Sequence, residues 1–288
     1  MITPMKEDGS INYPVFKVLL ERQVQQGADA VIVAGTTGEA STLSDEEHLE
    51  LVDFAGKTGK GRIPVIAGAG SNNTAHAIYM SKECEKLKAD GLLLVTPYYN
   101  KTSQRGLYLH FKACAAATGL PVILYNVPSR TGVNILPETY KKLAEIDNIA
   151  ACKEAGGNLS QIARTMALCK DRLAVYSGND DQITAVLALG GQGVISVLAN
   201  ILPGETHEIC ETYFEGESKK SSRLQLQYME LIEALFSDIN PIPVKQAMRA
   251  MGFEVGECRL PLCDMEKEKT EKLCHVLKKY GLLVHLER

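Results

Sequence analysis

Ile149-Ala150-Ala151-Cys152-Lys153-Glu154-Ala155-Gly156-Gly157 is a short apolar run that ends on a lysine and then turns through glycines. A strand that buries its length and delivers one lysine at its C-terminal end is how a barrel enzyme presents an amine nucleophile. Taken alone, the segment reads more simply as a strand-end lysine paired with a carboxylate. Its neighbours change that reading. Similar runs lie at Ala30–Ala34, Pro64–Ala67, Gly91–Thr96, Pro121–Asn126, Leu173–Ser177 and Gly193–Val197. Between them the apolar spacing predicts helices near 44–59, 73–89, 103–118, 136–146, 158–170 and 180–189, with another near 14–26. Repeated strand-helix units imply a parallel sheet.

An open doubly wound sheet fits the same alternation, so closure rests on where the polar residues fall. Glycine and polar groups follow nearly every strand: Gly35 to Glu39, Gly68 to Gly70, Pro97 to Asn100, Tyr125-Asn126, Lys153-Glu154 and Gly178 to Asp180. An open sheet gathers its site at one switch point, whereas a barrel draws on many strand ends. A barrel is therefore expected over residues 1–216. Helices at 219–236, 241–251 and 263–280 should form a C-terminal helical region, 217–288. An eighth strand is needed before the first helix, yet only Met1-Ile2-Thr3-Pro4-Met5 stands there, shorter than a typical strand. The expectation is a truncated first strand that weakens the barrel, its stability, assembly or activity.

The 288 residues are 45% apolar, enough for a large core, and carry a formal charge of -4. That balance gives no general reason to bind nucleic acid or an anionic membrane. Eight dispersed cysteines contain no C-x-x-C, so reduced thiols are expected and neither a zinc ribbon nor a redox motif is indicated. No apolar segment approaches membrane-spanning length and no signal-peptide pattern opens the chain. A soluble, cytoplasmic protein acting on small molecules is expected.

Gly35-Thr36-Thr37-Gly38-Glu39 closes one strand, and Ser44-Asp45-Glu46-Glu47 then reads as a capped helix start with Glu47 in the capping-box position. The two glycines permit a tight turn whose hydroxyls and N–H groups can face a carboxylate, although the loop alone fits a structural role equally. Tyr125 ends its strand as Lys153 ends the next, and neighbouring strands lie about 4.8 Å apart, within reach of proton exchange through a bound molecule. A free lysine is only about 0.1% neutral at pH 7.4, so attack on a ketone needs a drier setting. Strand alternation puts Ile149 and Ala151 on the Lys153 face as an apolar floor. Arg130, on the loop after Tyr125, suits a second carboxylate, or else a loop ion pair.

Together these segments resemble the dihydrodipicolinate synthase family, within the pyruvate-dependent aldolases and lyases that include N-acetylneuraminate lyase. The match runs through Gly35–Glu39, Arg62–Gly68, Val95–Asn100, Gly106–Tyr108, Ile123–Gly132, Lys153–Ala155, Gly193–Val197 and Asn240–Lys245, in order, from about residue 3 to the end. The resemblance implies a (β/α)8 TIM barrel, usually a homotetramer of tight dimers. It implies an imine-forming lysine at Lys153 and a proton-shuttling phenol at Tyr125. Thr36 and Tyr99 would be relay partners, Tyr99 coming from the adjacent subunit. Thr37 would hold the pyruvate carboxylate, Arg130 would receive L-aspartate 4-semialdehyde, and Gly178 and Ile195 would line the cavity. No metal or organic cofactor is implied, since the protonated imine is itself the electron sink. For the family's lysine-feedback site, His48, Asn72 and Tyr98 agree with the sensitive form. His76 stands where a glutamate is usual and Asp45 where a histidine often is, so weak or absent inhibition by lysine is expected. The short N-terminal segment is the other departure.

Two alternatives remain open at this point: a sugar-acid aldolase on the same scaffold, and a catalytically silent binding protein. Thr37, Tyr98-Tyr99 and Arg130 favour the synthase over the first. Gly56-Lys57-Thr58 imitates the end of a phosphate loop, but position 51 is Leu and the segment is helical in pattern. His207 and Cys210 share a predicted helix face without a third ligand, and read as packing residues.

Overall fold

The computed structural model describes residues 1–283. Seven strands form one parallel sheet in chain order: β1 (Val31–Val33), β2 (Val65–Gly68), β3 (Gly91–Val95), β4 (Val122–Asn126), β5 (Ile149–Glu154), β6 (Ala174–Ser177) and β7 (Gly193–Val194). Every expected run is a strand, with ends displaced by a residue or so except in β7. That strand is shorter than its apolar run, because Asp180 Oδ2 accepts the amides of Val197 and Leu198 at 3.0 and 2.9 Å and draws the chain into a 3-10 turn at Leu198–Asn200.

The crossover helices start where their capping residues stand. Ser44 and Glu47 form the reciprocal capping box, and Asn73, Ser103 and Asn158 each cap a helix through the side chain. Alternation then sorts the strand residues into two layers. Leu93, Ile123, Tyr125 and Ala151 point to the concave face, while Leu92, Leu124 and Cys152 pack under the helices. Ile149 corrects the alternation argument. Register between β4 and β5 shifts after Val122, which pairs with Ile149 while Ile123 pairs with Ala151, so one residue is extra. Ile149 consequently joins the outer layer, and the apolar surface around Lys153 comes from Ala151 and neighbouring strands.

The sheet curls until β1 and β7 border the same cavity, about 840 Å³ in volume. No eighth strand pairs with either among the described residues. Instead Met1–Thr3 lies at the seam: the Met1 amino group donates to Ile32 O at 2.6 Å, Ile2 N to Asn200 Oδ1 at 2.9 Å, and Thr3 Oγ1 to Gly38 O at 2.7 Å.

After the helix Pro203–Phe214 come Ser218–Gln227, Met229–Leu235, Ile242–Ala250 and Lys267–Lys279. The helix expected at 219–236 is broken at Tyr228, whose side chain packs against two separate apolar clusters. The C-terminal helices share one core with Ile2, Leu19 and Val197–Leu202, so this region is packed onto both ends of the preceding chain.

Candidate active site

Lys153 and Tyr125 are paired across β4 and β5, and the lysine Nζ lies 4.5 Å from the centre of the phenol ring. Tyr125 is buried, Lys153 half-buried. The amine therefore sits over the electron-rich face of the ring. Strand alternation aims both into the cavity, where Thr36, Thr37 and Ile195 join them. Ile195 is held there by donating its N–H to Ser177 O at 2.8 Å.

The Gly35–Glu39 loop is tight for a different reason from the one its glycines suggest. The left-handed positions are Ala34 and Glu39, at φ 50 and 58°. Gly38 is required by crowding instead, since a Cβ there would come within 3.1 Å of Ala34 N and 3.2 Å of Met1 O. Thr37 Oγ1 accepts a hydrogen bond from Asn240 Nδ2 at 3.0 Å, and Arg130 Nη2 donates to Asn240 O at 3.2 Å. Asn240 thus ties the hydroxyl loop to the exposed Arg130 loop. Asn240 opens the run Asn240–Lys245, in which nothing local marks this contact.

Three expected residues stand outside the cavity lining: Arg130, Gly178 and Tyr99. Gly178 is behind the strand ends: its N–H donates to Glu154 O at 2.7 Å, and a Cβ would meet the Ala155 Cβ at 2.7 Å. Tyr99 is 85% exposed, in a left-handed turn with φ 67°, and does not approach Lys153 within its own chain.

Asp180 was also without an assigned role. Burial pushes its carboxyl up; Ser196, the Leu198 and Val197 amides and the Lys153 ammonium pull it back. Tyr176, paired with Lys153 from the β6 side, lines the same cavity, and burial raises its phenol, with Asp29 adding to the effect. Its place near the end of the Leu173–Ser177 run, as Lys153 stands near the end of its own, was the signal available. Such a half-dry amine, beside a phenol and two threonines, is equipped to add to a small keto acid and to move protons on the adduct.

On the outer surface His48 is buried and donates from Nε2 to Gly68 O at 2.6 Å; burial lowers its pKa. His76 Nε2 lies 3.0 and 3.1 Å from the Asp45 carboxylate oxygens, and Asn72 Nδ2 donates to Tyr98 O at 3.2 Å. His207 pairs with Asp29 at 3.1 Å, and no group of three metal-ligating side chains occurs among the described residues.

Residues 1–280 match the model of the Dihydrodipicolinate synthetase family, and the chain belongs to that family. It is 54% identical over 282 residues to the 4-hydroxy-tetrahydrodipicolinate synthase of Caldicellulosiruptor saccharolyticus, covering 98% of this chain and 95% of the relative. Among solved structures, the enzyme from Cyanidioschyzon merolae with lysine bound superposes with a TM-score of 0.96 at 43% identity, covering 98% of this chain and 97% of the other. The chloride-inhibited enzyme from Acinetobacter baumannii complexed with pyruvate gives 0.96 at 41%, with coverage of 98 and 97%.

Proposed function

We propose that this protein is an aldolase-type lyase that condenses pyruvate with L-aspartate 4-semialdehyde, the 4-hydroxy-tetrahydrodipicolinate synthase reaction of lysine and diaminopimelate biosynthesis. The observation that carries the reading is the amine of Lys153 over the Tyr125 ring, in one cavity with Thr36 and Thr37.

Neutral Lys153 attacks C2 of pyruvate, and the carbinolamine loses water to give a protonated imine. C3 gives up a proton, the electron pair flowing into the cation, and the resulting enamine carbon attacks the aldehyde carbonyl. The amino group of the second substrate then adds to C2, closes the ring and expels Lys153. Tyr125 moves the protons, with Thr36 and a partner subunit's tyrosine at position 99 as relay. Thr37 binds the pyruvate carboxylate, and Arg130, steadied by Asn240, receives the second substrate's carboxylate. Ile195 lines the cavity, whereas Gly178 acts from behind the strand ends by bonding Glu154 O. No cofactor enters this scheme. The reading includes a closed barrel in which Met1–Thr3 stands for the eighth strand, a tight dimer in the cytoplasm, and an effector surface at His48, Asn72, His76 and Tyr98. On that surface the Asp45–His76 pair satisfies itself, so lysine is expected to inhibit weakly.

Borohydride reduction in the presence of pyruvate, followed by peptide mass mapping, tests the central claim: a reduced pyruvyl adduct on Lys153 is expected, and none would overturn it. A coupled assay with L-aspartate 4-semialdehyde against sugar acids separates the synthase from an aldolase of the same scaffold.

A further inference from the structure

We propose that Glu154 is a positioning residue for this reaction: its carboxyl, buried on the far side of the sheet, clamps the ends of β4 and β5 and so holds the Tyr125 phenol against the Lys153 amine. The inference rests on the reading that Lys153 carries the imine.

Consecutive residues on a strand face opposite ways, so Lys153 enters the cavity and Glu154 enters the layer beneath the helices. There Glu154 is 3% exposed. The same ladder pairs Tyr125 with Lys153 and Asn126 with Glu154. Whatever fixes the second pair therefore fixes the first. Asn126 Nδ2 donates to Glu154 Oε1 at 2.9 Å and Oε2 at 3.1 Å, Gly156 N to Oε1 at 2.9 Å, and the Tyr140 hydroxyl to Oε2 at 3.0 Å. Main-chain bonds extend the clamp: Ala155 N donates to Asn126 O at 2.9 Å, and Glu154 O accepts from Gly178 N at 2.7 Å. Asn126 Oδ1 in turn accepts from Ile135 N at 3.0 Å, anchoring the loop that carries Arg130. One carboxyl thus gathers β4, the turn after β5, and the helix Pro137–Leu143 that bears Tyr140.

No lysine, arginine or histidine pairs with Glu154 among the described residues. Burial accordingly pushes its pKa up, and the surrounding N–H and O–H donors offset part of that. A glutamine would keep the shape but replace one acceptor oxygen with an NH2 group facing N–H donors. The geometry uses acceptor capacity on both oxygens at once, which glutamate alone supplies at this length. Proton transfer between Tyr125 and the lysine adduct depends on placement, and a displacement of about 1 Å can cost about a hundredfold in rate.

The test is a double-variant cycle on the full chain: wild type, Glu154→Gln, Tyr125→Phe and both together, measuring kcat and pyruvate KM. Glu154→Gln is expected to lower kcat about tenfold or more while KM changes about twofold at most. In the Tyr125→Phe background it should cost less than about threefold, because the phenol it positions is already gone. A kcat within about threefold of wild type, or the full single-variant loss repeated in the double variant, overturns the proposal. Should Glu154→Gln fail to fold, Tyr140→Phe removes one donor to the same carboxyl, and there the expected result is a fall in kcat of about threefold in the wild-type background and no further fall in the Tyr125→Phe background. No coupling to Tyr125 there overturns it equally. Pyruvate trapping on wild-type Lys153 separates the two failures: no adduct removes the parent reading, whereas an adduct with no coupling removes only the role of Glu154.

Discussion

Asp180 carries two oxygens in unequal settings. Oδ2 accepts two main-chain amides, while Oδ1 is buried with no donor among the described residues. Burial raises this carboxyl above its unfolded value, so in the window between the two the folded state binds more protons than the unfolded one. Stability contributed at the site is therefore greatest at low pH and falls as pH rises through the folded pKa. Asp180→Asn, which retains an acceptor and never ionises, should lose least relative to wild type at neutral pH and most near pH 4. Urea unfolding of both proteins across that range checks the sign; a wild-type advantage that grows with pH would refute it. At the same scale, Tyr125→Phe should lower kcat by about a hundredfold or more, since the phenol whose ring lies under the amine is the group proposed to move its protons. Steady-state assays decide this, and a fall of less than about tenfold would assign proton transfer elsewhere.

Between elements, the contact with most at stake is a fully buried ion pair. Lys245 Nζ, on the helix Ile242–Ala250, donates to Glu39 Oε1 and to Glu257 O, each at 2.7 Å, and both pair members have side chains at most 1% exposed. Glu39 Oε2 accepts the Arg259 amide at 2.9 Å. The C-terminal region is thereby bolted to the loop that presents Thr36 and Thr37. Lys245→Met leaves a buried carboxylate with one amide donor, and is expected to cost about 3 to 5 kcal/mol. Pairing it with Glu39→Gln should recover most of that loss, because the isolated charge is the penalty rather than the missing attraction. Equilibrium unfolding of the single and double variants measures both; an undiminished loss in the double variant would mean the pair's own attraction dominates.

At the scale of the molecule, several of the exposed large apolar residues lie on neighbouring elements. Tyr79 and Leu109, on the contacting helices Thr74–Lys86 and Gln104–Ala115, and Tyr98 and Tyr99, on the turn after β3, are each at least 40% exposed. The proposed dimer would cover them and complete the proton relay. Tyr99→Arg should shift the protein toward monomer in sedimentation velocity and lower kcat together. A dimer of unchanged affinity and activity would separate Tyr99 from both roles. Lysine titration of the wild type should show little inhibition below millimolar concentrations; strong inhibition there would contradict the self-satisfied Asp45–His76 pair.

Strand order, crossover helices and the adjacency of Tyr125 and Lys153 were legible in the sequence because each depends on local pattern: apolar runs, capping residues, and alternation toward one rim. Capping at Ser44 needed only the next three residues. What escaped depended on distant partners. Ile149 faces outward because of a register shift against β4, and register is a relation between strands rather than a property of either. Asn240 reaches Thr37 across 203 residues, and Lys245 reaches Glu39 across 206. Neither position carries a nearby signal of its partner. Local pattern was enough for an alternating parallel fold and for the amine proposed to carry its chemistry. Tertiary structure alone decided how the seam beside β1 is occupied, which polar groups brace the rim, and that Glu154 grips from behind what Lys153 presents in front, since burial and hydrogen-bond partners exist only once the chain has closed on itself.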